Sequence, residues 1–135
     1  CICNLPSPSE VKHFNSMLLL RSNTRHGPVF TQEPSDSIFP LSTDDKQVFI
    51  NCKAKGNPPP HYRWKVDGRD LNMESEPNYS LVEGNLLINN PHVINHGGVY
   101  QCIATNTFGT VVSREAKVQF ACESIMYVHI IIITL

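Results

Sequence analysis

Residues 48–66, which read VFINCKAKGNPPPHYRWKV, contain two short runs of period two separated by a proline-rich turn. In the first run every second residue from Val48 to Ala54 is apolar, and this period predicts a β-strand with one buried face. Pro58–Pro60 cannot donate ladder hydrogen bonds and predict a loop. In the second run Trp64 and Val66 alternate with basic residues. The stretch therefore predicts two strands joined by a loop.

Short apolar runs and turn residues continue through residues 27–121, which is typical of an all-β sandwich. Asp67-Gly68 predicts a hairpin turn, Pro34 interrupts an opening strand, and residues 110–120 predict one long final strand. No stretch shows a convincing helical period. The residues that fall on the inward phase and are predicted to form the core are Ile50, Trp64, Leu86, Ile88 and Tyr100.

Length and charge limit the class of protein. The chain has 135 residues, its 11 Lys and Arg residues nearly balance its 12 Asp and Glu residues, and 41% of it is hydrophobic. This allows one domain of ordinary size with a buried core. The formal net charge of −1 argues against a nucleic-acid-binding arm or a polybasic membrane patch. A two-lobed enzyme has little room in this length.

Two cysteines and the tryptophan form a recognisable pattern. Cys52 and Cys102 both fall on the inward phase of their strands, and Trp64 lies inward on a strand between them. This is the arrangement of an immunoglobulin domain, in which a disulfide joins the two sheets and the indole packs against it. The alternatives are buried free thiols or metal ligands, but neither cysteine has a second ligand at the close spacing usual for zinc. Spacing and phase favour the disulfide, which indicates an oxidising compartment.

Several motifs within residues 27–121 are more specific than this pattern. They are IFP at 38–40, NPPPHYRWK at 57–65, GNLLINNP at 84–91, GVYQC at 98–102, ATNTFG at 104–109 and SREA at 113–116. Together they resemble the first immunoglobulin domain of the contactins, a family of neural cell-adhesion molecules. The resemblance implies an I-set immunoglobulin-like sandwich of two sheets that recognises other proteins and has no catalytic role.

The resemblance stops sharply at both edges of residues 27–121. We therefore predict an immunoglobulin-like domain at 27–121, an unstructured flank at 1–26 and a short apolar tail at 122–135 that is not native to the domain. The tail is shorter than the roughly 20 residues that span a bilayer as a helix. It also lacks the small residues and polar spacer of a lipid-anchor signal. We expect a truncated splice product or an incomplete transcript.

The five cysteines are an odd number, so at least one thiol has no partner within the chain. Two of them belong to the predicted domain. The other three, Cys1, Cys3 and Cys122, lie in the predicted flanks. In an oxidising compartment we expect these three thiols to mispair and promote aggregation.

No set of residues in the sequence assembles a catalytic or metal site. The six histidines are scattered, and only His92 and His96 share a suggestive spacing. Proline and glycine residues beside them favour a turn in which both face solvent. We therefore predict a protein that is not an enzyme and that binds no cofactor and no metal. A basic strip, predicted to be a solvated sheet face, comprises Lys53, Lys55, Arg63, Lys65 and Arg69.

One departure from the family pattern concerns His96 and Asn78. Domains of this type usually carry Asp-x-Gly-x-Tyr-x-Cys, with the Asp paired to a basic residue, whereas this chain has His96 at the Asp position and Asn78 at the matching basic position. With both partners absent, no buried charge is left unpaired. Asn78-Tyr79-Ser80 is also the only acceptable N-glycosylation sequon. We predict glycosylation of Asn78 in a surface strand.

The contactin resemblance implies a function in axon or synapse organisation at the cell surface. Expected partners are cell-surface proteins, either other adhesion molecules or receptor phosphatases, with no nucleic acid and with membrane attachment only through a lipid anchor. A truncated chain would be secreted. Apolar side chains such as Phe49, Phe108 and Tyr79 are candidate contacts. The alternative is a structural fragment with no binding activity of its own.

Overall fold

A computed structural model describes residues 24–41 and 47–122 of the chain. Within these ranges the chain forms eleven β-strands and no helix, which confirms the predicted all-β fold. The strands are β1 (His26–Gln32), β2 (Ser37–Leu41), β3 (Gln47–Ile50), β4 (Lys53–Asn57), β5 (His61–Val66), β6 (Arg69–Asp70), β7 (Tyr79–Val82), β8 (Asn85–Asn89), β9 (Gly98–Asn106), β10 (Gly109–Val112) and β11 (Ala116–Cys122).

The strands form two layers that pack on each other. In the first layer β8 lies between β3 and β7, and β4, which follows β3 after a short break, pairs with β1. In the second layer the order is β2-β11-β9-β5-β6, with β10 also paired to β9. Neighbouring strands are antiparallel except β2 and β11, which run parallel. This is the two-sheet sandwich of an immunoglobulin-like domain.

The opening strand changes sheets at Pro34. Its first part, β1, pairs with β4 in the first sheet, whereas its second part, β2, pairs with β11 in the second sheet. Pro34 is fully buried between the two parts and has no N–H with which to continue a ladder. The predicted interruption at Pro34 is therefore a crossing from one sheet to the other.

Apolar side chains from both sheets fill the space between them. Alternation along β3, β5, β8 and β9 points every second side chain inward. Burying a large apolar side chain contributes about 1.5–3 kcal/mol relative to leaving it exposed. The buried residues include Ile50, Trp64, Leu86, Ile88 and Tyr100, the five that the alternation places inward.

The last strand corrects one expectation, because the structure divides the predicted single strand over 110–120. β10 and β11 pair with β9 in registers that differ by one, so residues 113–115 face only residues 101–102. Ser113 occupies this bulge. Its N–H donates to the Cys102 carbonyl at 2.8 Å, and its Oγ accepts from the Cys102 N–H at 2.9 Å. The extra residue shifts the inward phase of the strand by one position.

The predicted hairpin turn at Asp67-Gly68 is confirmed. Val66 and Arg69 form the last pair before the turn, and both turn residues have positive φ, 50° and 78°. That geometry suits a tight two-residue hairpin. Asp67 also holds the start of β9, because its N–H donates to the Val99 carbonyl and its Oδ1 accepts from the Val99 N–H, both at 2.8 Å.

The predicted flanks fall largely outside the described residues. Residues 1–23 and 123–135, including Cys1 and Cys3, lie beyond the described ranges, so their predicted character stays a prediction. Strand pairing begins at His26 and ends at Cys122, which lies opposite Leu41. The pairing thus extends one residue past each predicted domain boundary.

Candidate functional site

A disulfide between Cys52 and Cys102 joins the two sheets. Cys52 lies in the break between β3 and β4, Cys102 lies in β9, and their sulfur atoms are 2.11 Å apart. Trp64 lies opposite Cys102 on β5 and has no exposed surface. Closing a loop of about 50 residues stabilises a domain by about 4 kcal/mol in the chain-entropy model. The bridge and the indole therefore form the centre of the fold.

Gly84 brings the turn between β7 and β8 against this centre. The Trp64 Nε1–H donates to the Gly84 carbonyl at 3.0 Å. A Cβ atom on Gly84 would lie 2.6 Å from the Cys52 carbonyl oxygen and 2.8 Å from the Tyr62 ring, so only glycine fits. The positive φ of the turn, 61°, falls on Glu83 instead. The sequence gives no signal of this contact, because a glycine in a turn ordinarily indicates backbone conformation rather than close approach.

A tyrosine corner closes the turn that leads into β9. The Tyr100 hydroxyl donates to the His96 carbonyl at 2.5 Å. Since that uses its proton, the Tyr79 hydroxyl is the donor in the 2.9 Å bond between the two tyrosines. Burial raises the pKa of both hydroxyls, so both remain donors at neutral pH. Tyr79 is only 7% exposed, and its predicted role as a surface contact is therefore wrong.

His96 is half-buried, which corrects the prediction that it faces solvent. Its ring meets the Tyr79 ring edge-on, with the centroids 5.6 Å apart. Its Nδ1 accepts from the His92 N–H at 2.6 Å, so the ring is neutral and carries its proton on Nε2. Burial lowers the pKa of His96, and His92 lowers it further. The two histidines thus stabilise a turn and do not form a ligand pair.

Asn78 lies at the edge of the first sheet, just before β7. Its Nδ2 donates to the Asn89 carbonyl at 2.8 Å, and the Asn89 N–H donates to the Asn78 carbonyl at 2.7 Å. The side chain therefore supplies a donor that extends the ladder between β7 and β8. Ser80, the third residue of the sequon, lies on the outer side of β7 opposite Leu87. The sequon is thus part of the sheet edge and not of a free loop.

The outer side of the first sheet is free of charge where β3, β8 and β7 form it. These three strands contain no Asp, Glu, Lys or Arg. Phe49 is 45% exposed and lies opposite Leu87. We call this surface the uncharged face, and it comprises the outward residues Gln47, Phe49, Ser80, Val82, Leu87 and Asn89.

The outer side of the second sheet carries basic side chains. Arg63 and Lys65 alternate outward on β5, and Lys117 points outward on β11. Between the strands that carry them, Ile103 of β9 lies opposite Arg63 and is only 2% exposed. Asp70 lies opposite Lys65 on β6. We call Arg63, Lys65 and Lys117 the basic face.

The predicted basic strip does not form one surface. Its two β4 lysines belong to the first sheet, whereas Arg63 and Lys65 belong to the second. Arg69 on β6 binds both carboxylate oxygens of Glu76, at 2.9 and 3.1 Å. These hydrogen bonds lower the pKa of Glu76. Alternation shows which way a side chain points from its strand, but it does not show to which sheet the strand belongs.

Among the described residues no group of three His, Cys, Asp or Glu side chains could hold a metal ion. A groove of about 540 Å³ beside the β7–β8 turn is lined in part by Tyr62, Leu81 and Glu83. The Tyr62 hydroxyl already bonds both backbone groups of Ala54, at 2.9 and 3.1 Å. Within the described part of the chain no helix is long and apolar enough to cross a membrane.

Comparison with known proteins identifies the domain. Residues 27–106 match the family model described as "Immunoglobulin domain". Human contactin-4 is 55% identical over 105 residues, which cover 78% of this chain and 10% of that protein. The chain belongs to the immunoglobulin-domain family and is of the contactin type. Mouse contactin-5 is 45% identical over 115 residues, which cover 85% of this chain and 10% of that protein.

A solved structure agrees with this assignment. The N-terminal Ig1-2 module of the Drosophila receptor protein tyrosine phosphatase DLAR aligns with a TM-score of 0.64 and 34% identity, covering 73% of this chain and 48% of that one. The predicted sandwich and the predicted contactin resemblance are confirmed. The contactin-type chain spans about a tenth of the length of the curated relatives that it matches.

Proposed function

We propose that this contactin-type domain is a non-catalytic recognition module that binds proteins of the cell surface and takes part in axon or synapse organisation. The main support is its identity of 45–55% with contactins over most of the chain. The buried or half-buried polar groups of Tyr62, Tyr100 and His96 are bonded within the sheets and turns, which supports a structural role for them. The domain works in this role as a rigid, disulfide-linked surface.

The basic face is the surface that we assign to recognition. Arg63 and Lys65 project from β5 and Lys117 from β11, the strands on either side of β9. Val112 is exposed on β10, which also pairs with β9. Basic groups beside an exposed apolar side chain suit a partner with acidic groups, because complementary charge speeds encounter and fixes register. In this proposal the partner is another adhesion molecule or a receptor phosphatase.

The proposed place of action is outside the cell. A disulfide persists in oxidising compartments and is rare in the cytosol. Attachment to a membrane, where it occurs, runs through a lipid anchor of the kind that the family resemblance implies, and a chain without one is secreted.

Binding to intact cells tests the function. The folded chain, with Cys1, Cys3 and Cys122 replaced by Ser to prevent mispairing, is immobilised on beads and offered to cells that display contactins or receptor phosphatases. We expect specific retention that falls at least about tenfold in an Arg63→Glu, Lys65→Glu double variant, because two rim charges are reversed. Equal folding of the variant is checked by circular dichroism.

A matched control uses the two lysines of the other sheet. The double variant Lys53→Glu, Lys55→Glu makes the same change in net charge on β4 and should retain cells as the parent does. Loss of binding in both variants would point to non-specific charge attraction. No retention of any cell type by the parent chain would favour the structural fragment.

A further inference from the structure

The uncharged face has a glycosylation sequon at its corner. Asn78 precedes β7, and Ser80 of the same sequon lies on the face itself, opposite Leu87. Across two strand spacings, about 10 Å, the exposed ring of Phe49 lies opposite Leu87 on the far side. The face therefore offers a short apolar track that begins beside the sequon.

The chemistry of the face suits a sugar, and the sequon at its corner is the point from which one would reach it. Pyranose rings present C–H groups that pack on aromatic and aliphatic side chains, and their hydroxyl and acetamido groups bond amides. Gln47 and Asn89 supply such amides along one border, and the Gln47 Nε2 already donates to the Asn89 Oδ1 at 3.1 Å. No charged side chain within β3, β7 or β8 has to be desolvated when the face is covered.

We propose that Asn78 carries an N-linked glycan whose first sugar residues lie across Leu87 and Phe49 and cover the uncharged face. The inference rests on the extracellular location proposed above, because the modification requires the secretory route. Its consequence is that recognition is left to the basic face on the opposite sheet.

The attachment is compatible with the contacts of Asn78. A bond forms between Nδ2 and the anomeric carbon of the first N-acetylglucosamine, a lipid-linked diphosphate leaves that carbon, and Nδ2 loses one proton. One N–H remains on Nδ2, so the bond to the Asn89 carbonyl can persist. Because Asn78 is half-buried in the folded domain, transfer takes place before the sheet closes.

Two substitutions of Ser80 separate the effect of the glycan from the effect of changing the side chain. Ser80→Ala abolishes the sequon, whereas Ser80→Thr retains it, and both leave Asn78 and its ladder bond in place. Each chain is secreted from animal cells, and the mass of the peptide that contains Asn78 reports occupancy. We expect a glycan on the parent and on Ser80→Thr and none on Ser80→Ala. The same chains refolded from bacteria, which add no such glycan, give the cost of each substitution alone.

The position of the glycan is tested by a double-mutant cycle with Phe49. After correction with the bacterial chains, we expect loss of the glycan to lower the melting temperature by roughly 4 °C, as a loss of about 1 kcal/mol does in a domain of this size. In a Phe49→Ser background the shift should fall to about half. Phe108→Ser is the matched control, because Phe108 is 53% exposed but lies in the β9–β10 turn. It should leave the shift unchanged.

The outcomes discriminate between the two proposals. An unmodified Asn78 in a secreted chain with the Cys52–Cys102 bridge formed overturns the glycan and leaves the recognition role intact. An occupied Asn78 with equal shifts in the parent and in Phe49→Ser overturns the placement across the face.

Discussion

The uncharged face and the basic face share one core but differ on their outer sides. Beneath both, alternating apolar side chains meet around Trp64 and the disulfide. Outside, the part of the first sheet formed by β3, β8 and β7 presents Phe49 among neutral amides, whereas the second sheet presents Arg63 and Lys65. Packing fixes the inner side chains of each strand, but it leaves the outer ones to whatever each surface contacts. The two proposals above assign separate roles to these two surfaces.

Cutting the link between the two faces should have the largest effect. Replacing Cys52 and Cys102 by Ala removes the only disulfide of the described residues and should cost about 4 kcal/mol, which is comparable with the net stability of a small domain. We expect the urea midpoint to collapse and both faces to be lost together. The measurement is a urea titration in which the fluorescence of Trp64 reports unfolding. A domain that stays folded with a small shift would mean that packing alone holds the sheets.

Gly84 tests how closely the sheets must approach. Gly84→Ala places a Cβ atom against the Cys52 carbonyl and the Tyr62 ring, and the forced displacement should cost about 2–3 kcal/mol.

The neighbouring change is the control for Gly84→Ala. Glu83→Gly relieves a positive φ in the same turn and should be neutral or stabilising by up to about 1 kcal/mol. Chemical denaturation of both variants measures the difference. Equal destabilisation of the two would show that the turn is sensitive as a whole and that close approach at one residue is not the cause.

Acid should weaken the turn between β8 and β9, which connects the two sheets. We expect this effect to be smaller than those of removing the disulfide or replacing Gly84. The pKa of His96 in the folded chain lies below its ordinary 6.5, because burial opposes its charge and His92 adds to this. The unfolded chain therefore takes up the proton first. The stability that the neutral His96 ring contributes is fully present above pH 6.5. It is lost as the pH falls through that value toward the pKa of His96 in the folded chain.

Urea midpoints at pH 7.5 and pH 5.5 measure this dependence. His96→Asn keeps an acceptor for the His92 N–H without a titrating ring, so it should reduce the loss on acidification. His61→Asn, at an exposed position on β5, should leave it unchanged. The same pH dependence in the parent and in His96→Asn would show that protonation of His96 is not its cause.

The sequence predicted the inward half of this fold better than its outward half. Period two in residues 48–66 placed Ile50 and Trp64 correctly, because the core admits only apolar side chains on that phase. The bulge at Ser113 has no apolar signal in the sequence, because Ser113 is polar. In the structure Ser113 and Ala116 are both buried, and no uninterrupted strand buries residues three positions apart on one face.

Contacts between distant segments could not be predicted from the chain alone. The sequence predicts Tyr79 at the surface, where tyrosine is common. Only its hydrogen bond to the Tyr100 hydroxyl explains why it is buried. The close approach at Gly84 likewise depends on Cys52 and Tyr62, which lie more than 20 residues away in the chain. Such contacts are set by how the sheets stack, and a single sequence reports only local periods.

The crossing at Pro34 also limits how far another chain could extend the second sheet. Because β1 pairs in the first sheet, only β2 remains as the outer strand beside β11. The margin at β2 is five residues long and contains Pro40, and the margin at β6 is two residues long. Short or proline-bearing borders are poor templates for another chain. A second copy of the domain therefore meets no long, regular border along which to extend the second sheet.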